Sequence, residues 1–581
     1  MQFRIGTTID TNEPVSFPLN AFSTHFQSVG GTGTGKSTHM CDLLCQTMLC
    51  NTPKIGMFVI DPLGGLAESI VDFVSHPVLC PESVRKRFVY IEPANTDYVM
   101  PFNSLQYSDE DDLNYRAWRM SACFMRSGRT IDSESQPRLA RWLYNSFSTI
   151  AALGYPPAAA QFLTTPGTAQ HNTIVSQMPE KYRLRWADVF AGGVRDRMTV
   201  LDSFNNRSAT FFSCEIFVRM LAMWYSTFVV PRFVKDSSIV LINLAPKGRM
   251  DPHIAHTLGA MFVNEILVAI KNMRREDRRE TILAMDEFQH FINEDIYENL
   301  PLMRQMKLSL FLSHQSFSQL KRGDIDLRPI VWQARSRAFF CNDGEDADLM
   351  AQEIASQTFN ALELKDQIQV FRQKKVGFDR IWLRSENSSV STMDGQNESS
   401  SEGSTHGRTY ANGPGATADG DRLSDNESSQ RGTSRNRSWT SSNSTGQSET
   451  LVDRLEDFYE TSSRSYYTFD EQMRRAARFI RELRTGQALF KFVNDSRLYH
   501  TKVEVLKLPL SKRHQEARAK LLEENFQSDL FLPKHVVETQ WQRFISELGE
   551  GRRPNTIEGH VVSNDEDVDT PEPPQRPTSF R

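Results

Sequence analysis

Apolar and polar positions alternate between two regimes along the chain. Short runs rich in β-branched and aromatic residues occur at 24–29, 55–60, 87–91, 238–244, 281–285, 309–313 and 337–341. Between them, apolar residues return every three or four positions. Near-continuous apolar runs of this length are what a parallel sheet covered on both faces requires. The pattern therefore predicts an α/β fold: a mainly parallel sheet with helical crossovers.

The regime changes twice. Between 107 and 232 the strand signals vanish and helical spacing takes over, as at Leu139, Trp142, Leu143 and Phe147, which predicts an all-helical insert. The most apolar stretch, 220–230, is too short for the ~20 residues of a membrane span and reads as a buried helix. From 386 to 449 the chain turns to Ser, Gly, Asn, Asp and Thr with few aliphatic residues. Such a composition does not offset the entropy of ordering, so a disordered insertion is expected. Strand-like runs at 488–493 and 501–506 then close the sheet. The expected organisation is a core at 1–106, the helical insert at 107–232, more core at 233–385, the insertion at 386–449, the last core strands within 450–510, a helical segment at 511–550 and an acidic tail at 551–581.

Composition narrows the picture little. A formal charge of -5 over 581 residues gives no global footprint of nucleic-acid binding, so any such contact would come from local basic loops. The seven cysteines are scattered, three of them at Cys41, Cys45 and Cys50, with no Cys-x-x-Cys pair, which suits reduced thiols in a cytoplasmic protein. The first residues, MQFRIGTTID, lack the basic and apolar regions of a signal peptide, and no stable membrane insertion is expected.

The candidate chemistry begins at 30–37, which read GGTGTGKS. This spacing lets a backbone loop wrap the phosphates of a nucleoside triphosphate. Gly30, Gly31, Gly33 and Gly35 remove Cβ atoms where N–H groups must approach phosphate oxygens, and Thr32 and Thr34 complete the loop. Lys36 is placed to reach the β and γ phosphates, Ser37 to hold Mg²⁺, and Thr38 to open the following helix, whose N-terminus faces the anion. A second element supports it. The apolar run 282–285 ends in Asp286 and Glu287. At the carboxyl end of a strand beside the loop, Asp286 would hold Mg²⁺ through Ser37 and water, and Glu287 would orient or deprotonate the attacking water. The next strand ends at His314 and Gln315, whose amide can sense the γ phosphate.

Taken together these residues resemble the HerA and FtsK superfamily of ring-forming DNA motors, particularly its conjugative coupling-protein branch, the TraG/TraD-like DNA-binding proteins of type IV secretion. The carrying text is GGTGTGKS at 30–37, VIDPLGGLAE at 59–68, KRFVYIEP at 86–93, MPFNSL at 100–105, AMDEFQHF at 284–291, LMRQMKLSLFLSHQSFSQL at 302–320 and FFCNDGEDADLMAQEI at 339–354. The resemblance implies a RecA-like P-loop core and ATP with Mg²⁺ as cofactors. It also implies a homo-hexameric ring that moves DNA without reading its sequence, working with a relaxase, nuclease or secretion-system partner. In that family an arginine eleven residues before the sensor glutamine enters the neighbouring site, and Arg304 holds that spacing to Gln315. Arg335 and Arg337 are weaker candidates for the same role. Asp61 matches the family's aspartate in the strand after the loop, and joins the nucleotide-binding set.

Two departures qualify the resemblance. The family usually places an acidic residue after the glycine that follows Asp61, where this chain has Gly64 and Gly65. Coupling proteins usually begin with transmembrane helices, and this sequence shows none. Two other functions fit the same residues: a secretion ATPase that pumps polypeptide, and a nucleotide switch that changes assembly without doing work. A switch needs neither Glu287 nor Arg304.

Overall fold

The computed structural model describes residues 2–554, apart from 23, 51–53, 108, 127–136, 292–299, 323–324, 392–403, 406–425, 428–439, 494, 496, 507, 509 and 510. It divides into a body, residues 1–359 with 470 onward, and a separate unit, Asn360–Phe469.

In the body, the apolar runs become strands β1 (Gln2–Thr8), β2 (Pro14–Pro18), β3 (Phe26–Val29), β4 (Gly56–Asp61), β5 (Phe88–Ile91), β6 (Ile239–Asn243), β7 (Thr281–Met285), β8 (Leu308–His314), β9 (Ser336–Phe340), β10 (Gln487–Lys491) and β11 (Tyr499–Val503). They form one sheet in the order β2-β1-β11-β10-β9-β3-β8-β7-β4-β6-β5. The seven strands from β9 to β5 are parallel to one another. The remaining four, β10, β11, β1 and β2, add antiparallel at one side. Every residue of β3, β4, β6, β7 and β9 is buried, as two covered faces demand. The expected α/β fold with a mainly parallel sheet is therefore present. The hairpin β1–β2 had no sequence signal strong enough to predict it, because its exposed positions dilute the apolar pattern.

Helix α1 (Lys36–Met48) follows β3, and α2 (Gly65–Ser75) follows β4. The segment read as an all-helical insert contains α3 (Glu110–Arg126), α4 (Pro137–Leu153), α5 (Val194–Phe212) and several shorter helices. Next comes α6 (Pro252–Asn272). Among the described residues α6 alone has the length and hydropathy of a membrane span, but 78% of that window is buried inside the protein, as in a core helix. The later helices are α7 (Gly344–Thr358), α8 (Phe469–Glu482), α9 (Lys512–Phe526) and α10 (Lys534–Gly549).

Two expectations need correcting. The stretch 220–230 is only partly buried, with Val229 44% exposed, and largely not helical: a short helix ends at Met220 and another starts at Val230. Its backbone is used by neighbouring segments instead, since Phe102 N–H donates to Met220 O, Ala158 N–H to Leu221 O and Thr227 N–H to Pro101 O. The second concerns 386–466. The separate unit is a two-stranded antiparallel ribbon, Leu364–Ser391 against Thr440–Tyr466, so the ends of the expected disordered insertion are strand, and 450–466 pairs within the ribbon rather than joining the central sheet. Most of 392–439 lies outside the described residues, as does the tail from 555.

One buried acid on α1 gives a stability prediction. Asp42 is 6% exposed, and burial above all pushes its carboxyl up to about 6, against an opposing hydrogen bond from Gln46 Nε2 at 2.7 Å. Because the native pKa lies above the unfolded value of 3.8, the folded state loses stability as pH rises between these values, and the full penalty stands above about 6. Asp42→Asn should therefore raise unfolding stability by roughly 2 kcal/mol at pH 7.5 and by almost nothing near pH 3.5. Urea denaturation at both pH values checks it; an equal gain at both would show that packing, not ionisation, is responsible.

Candidate nucleotide site

Strand β3 ends where its two neighbours also end, so the glycine loop emerges between the tips of β8 and β9. Gly31 N–H donates to Cys341 O at 2.8 Å, tying the loop to the residue after β9. Only glycine fits at 30, because a Cβ there would lie 2.5 Å from Phe340 Cβ. Gly35 takes φ 110°, a left-handed turn that starts α1. Thr34 ties the loop from within and without: its hydroxyl donates to Gly31 O at 2.8 Å, and its carbonyl accepts Gly486 N–H at 2.9 Å. Thr32 and Gly33 stand exposed at the loop's tip, and Thr38 is exposed on the first turn of α1.

Lys36 is buried, and its ammonium donates to Gly30 O at 2.7 Å and Gly31 O at 2.8 Å. Burial lowers its pKa, opposed by the charges of Glu287 and then Asp286. The next residue makes the decisive link. Ser37 Oγ donates to Asp286 Oδ2 at 2.7 Å, across 249 residues of sequence. Asp286 is buried at the tip of β7, and burial raises its pKa against the hydrogen bond from Ser37.

Glu287 follows with φ 45°, a left-handed conformation rare for a residue with a side chain. That turn ends β7 and swings the carboxylate toward β8, where both oxygens find amides. Gln315 Nε2 donates to Oε1 at 2.8 Å, and Gln289 Nε2 donates to Oε2 at 2.5 Å. Gln315 is itself anchored, since its carbonyl accepts Asn342 Nδ2 at 2.9 Å from the loop after β9. Just before it, His314 is fully buried and burial holds it neutral, with a pKa of about 3. Gln27 Nε2 lies 2.8 Å from His314 Nε2. An amide nitrogen can only donate, so that ring nitrogen accepts and the proton sits on Nδ1, facing Ser316 O at 3.3 Å.

The loops after β3, β7, β8 and β9 thus converge beyond the carboxyl ends of parallel strands, the position where open α/β sheets bind ligands. The Ser37 hydroxyl and the Asp286 carboxylate supply hard oxygen donors of the kind a Mg²⁺ ion takes. The remaining carboxylate, Glu287, lies between two amides, with one oxygen on each.

The structure brings Lys36, Ser37, Asp286, Glu287 and Gln315 into one cluster. Asp61 occupies the tip of β4, next to β7, and its buried carboxylate accepts Leu63 N–H at 2.9 Å and Ala67 N–H at 2.8 Å, fastening the turn into α2. Arg304 stands exposed on the short helix Leu300–Met306 that leads into β8. Arg335 is also exposed, whereas Arg337 is buried in its own fold, paired with Glu353 and 4.7 Å from the Trp332 ring centroid. Gln289, Asn342 and Gly486 were not singled out from sequence. None of the three carries a sequence signal beyond ordinary polar and turn chemistry.

Residues 3–118 match the family described as Helicase HerA, central domain. That span holds the glycine loop and Asp61, and the chain resembles P-loop ATPases of the HerA and FtsK type. No curated protein matches the sequence. Among solved structures, the bacterial conjugative coupling protein TrwBdeltaN70 aligns at 14% identity and a TM-score of 0.48, over 87% of this chain and 89% of that one. The plasmid coupling protein TrwB in complex with the GTP analogue GDPNP aligns at 14% and 0.48, over 87% and 96%. VirB4 of Thermoanaerobacter pseudethanolicus aligns at 11% and 0.36, over 60% and 86%.

Proposed function

We propose that this chain is an ATP-driven DNA translocase that works as a ring of six copies. The observation that carries the reading is the 2.7 Å contact between Ser37 and Asp286, which closes a glycine cradle against an acidic strand tip with Glu287 beside it. ATP with Mg²⁺ is the cofactor. The loop's N–H groups and Lys36 would hold the phosphates and Ser37 and Asp286 the metal, while Gln315 would report the γ phosphate to Glu287, placed to take a proton from water. A bound Mg²⁺ would supply charge neutralisation on the phosphates. Asp61 sets the loop that borders the site.

Arg304 supports the assembled form of the reading. An exposed guanidinium at a fixed offset from the sensor suits insertion into a neighbour's site, where it would neutralise charge on the transferring phosphoryl group. Hydrolysis then depends on assembly, and DNA threads the ring through sequence-independent phosphate contacts.

Steady-state hydrolysis with and without single- and double-stranded DNA tests this. Turnover should rise with DNA, the effect should fade with added salt, and Arg304→Ala should lower turnover by about 10³-fold or more. Mixing Arg304→Ala with Glu287→Gln protomers should recover part of the activity, because some interfaces then unite an intact site with an intact arginine. Hydrolysis indifferent to every DNA, or stimulated by polypeptide instead, would overturn the DNA motor.

A further inference from the structure

The ribbon Asn360–Phe469 is the part of the chain that the nucleotide chemistry does not use. Its arms, 28 and 27 residues long, would extend about 90 Å at the usual rise per residue. Two strands alone are marginal in water, and each arm leaves one edge of N–H and C=O groups without a strand partner among the described residues.

The charges on the two arms are segregated. Leu364–Ser391 carries six Lys and Arg against three Asp and Glu, whereas Thr440–Tyr466 carries two against five. One edge is therefore net +3 and the other net -3. Within a ribbon the arms already pair across this difference: Arg372 with Glu460 at 3.1 Å, Lys375 with Asp453, and Arg380 with Glu449 at 3.3 Å. The register also sets six large apolar side chains on one face, with Val370, Val452 and Phe458 on the other. Phe371 opposes Tyr459, Lys375 opposes Leu455, Arg380 opposes Leu451, and the bulge at 375–377 keeps Phe378 and Trp382 in phase with them. Phe371, Phe378, Trp382, Leu451, Leu455 and Tyr459 are all at least half exposed.

We propose that the ribbon is an assembly element that joins copies of this chain edge to edge, the basic arm of one protomer adding to the acidic arm of the next. Like edges repel, so two copies do not pair symmetrically through the same arm; unlike edges attract, which makes the contact head-to-tail. A rotation about an axis along the ribbon keeps neighbouring arms antiparallel, so the new contact repeats the pairing already present inside each ribbon. Adjacent apolar stripes then lie side by side, and their aromatic residues cover one another. The occupant of each free edge is a second copy of this chain.

A charge swap tests this without breaking the internal ion pairs. The full chain carrying Arg372→Glu, Lys375→Asp, Arg380→Glu, Glu449→Arg, Asp453→Lys and Glu460→Arg keeps opposite charges within the ribbon but exchanges the sign of its two edges. By native mass spectrometry, wild type and swapped chain should each assemble with themselves, while mixed oligomers should be at least about tenfold rarer than random mixing gives. Free mixing would overturn the proposal, as would a wild-type chain that stays monomeric at every concentration. Should the swapped chain misfold, a chain with 361–468 replaced by a short Gly-Ser linker decides. Assembly weakened about tenfold or more supports the ribbon's role; assembly at wild-type concentrations refutes it and leaves the apolar stripe to a different partner. Neither readout depends on hydrolysis, so failure here is separable from failure of the motor reading.

Discussion

Replacing Glu287 by Gln is expected to lower ATP turnover by about 10²- to 10⁴-fold while nucleotide binding persists. The substitution keeps the side chain's size and one acceptor oxygen, so the left-handed turn at φ 45° and the contact from Gln315 Nε2 can both survive. What it removes is the group able to take a proton from water. The lysine, the serine hydroxyl and Asp286, which would hold the phosphates and the metal, are untouched. Single-turnover kinetics with a fluorescent ATP analogue separate binding from chemistry. Retained turnover would show that Glu287 only shapes the strand end. Gln315→Ala provides the comparison: it frees one carboxylate oxygen but leaves the other on Gln289, so the carboxylate stays while its link to the β8 tip is lost.

Lys36→Ala should have an equally large effect by another route, removing both detectable ATP affinity and turnover, a loss of about 10³-fold or more in kcat/KM. The ammonium interacts electrostatically with both Glu287 and Asp286, and it satisfies two loop carbonyls, Gly30 O and Gly31 O. Without it, an incoming triphosphate would meet two carboxylates without the opposing charge. Lys36→Arg should fare little better, since a planar guanidinium does not reproduce a compact ammonium between two carbonyls 2.7 and 2.8 Å away. Isothermal titration with ATP and Mg²⁺ reads the affinity directly. Near-normal binding by Lys36→Ala would place the triphosphate elsewhere and dissolve the site.

Several features were legible because local spacing alone encodes them. A glycine loop between a buried strand and a helix, an apolar run ending in two acids, and a strand ending in His314 and Gln315 each need only a few neighbouring residues to be recognised. Position 220–230 misled for the same reason: an apolar stretch is compatible with a helix or with partly buried irregular chain, and contacts from Pro101, Phe102 and Ala158 chose the latter. The ribbon escaped notice because its arms pair with each other across a long, polar intervening segment, and strand pairing at that separation leaves no local periodicity. Gln289 and Asn342 became visible only through their partners, Glu287 and the Gln315 carbonyl.

By itself, then, the order of residues determined the α/β class and the chemical types proposed to meet a triphosphate, because glycine, lysine and carboxylate each act through properties they carry anywhere in a chain. The sheet order decided the rest. Only by setting β3 beside β8, and β8 beside β7, does the fold bring Ser37 within 2.7 Å of Asp286 and give Glu287 two amide partners from different segments. Proximity between residues 249 apart is a property of strand packing, which hydrophobic burial fixes globally and no short motif specifies.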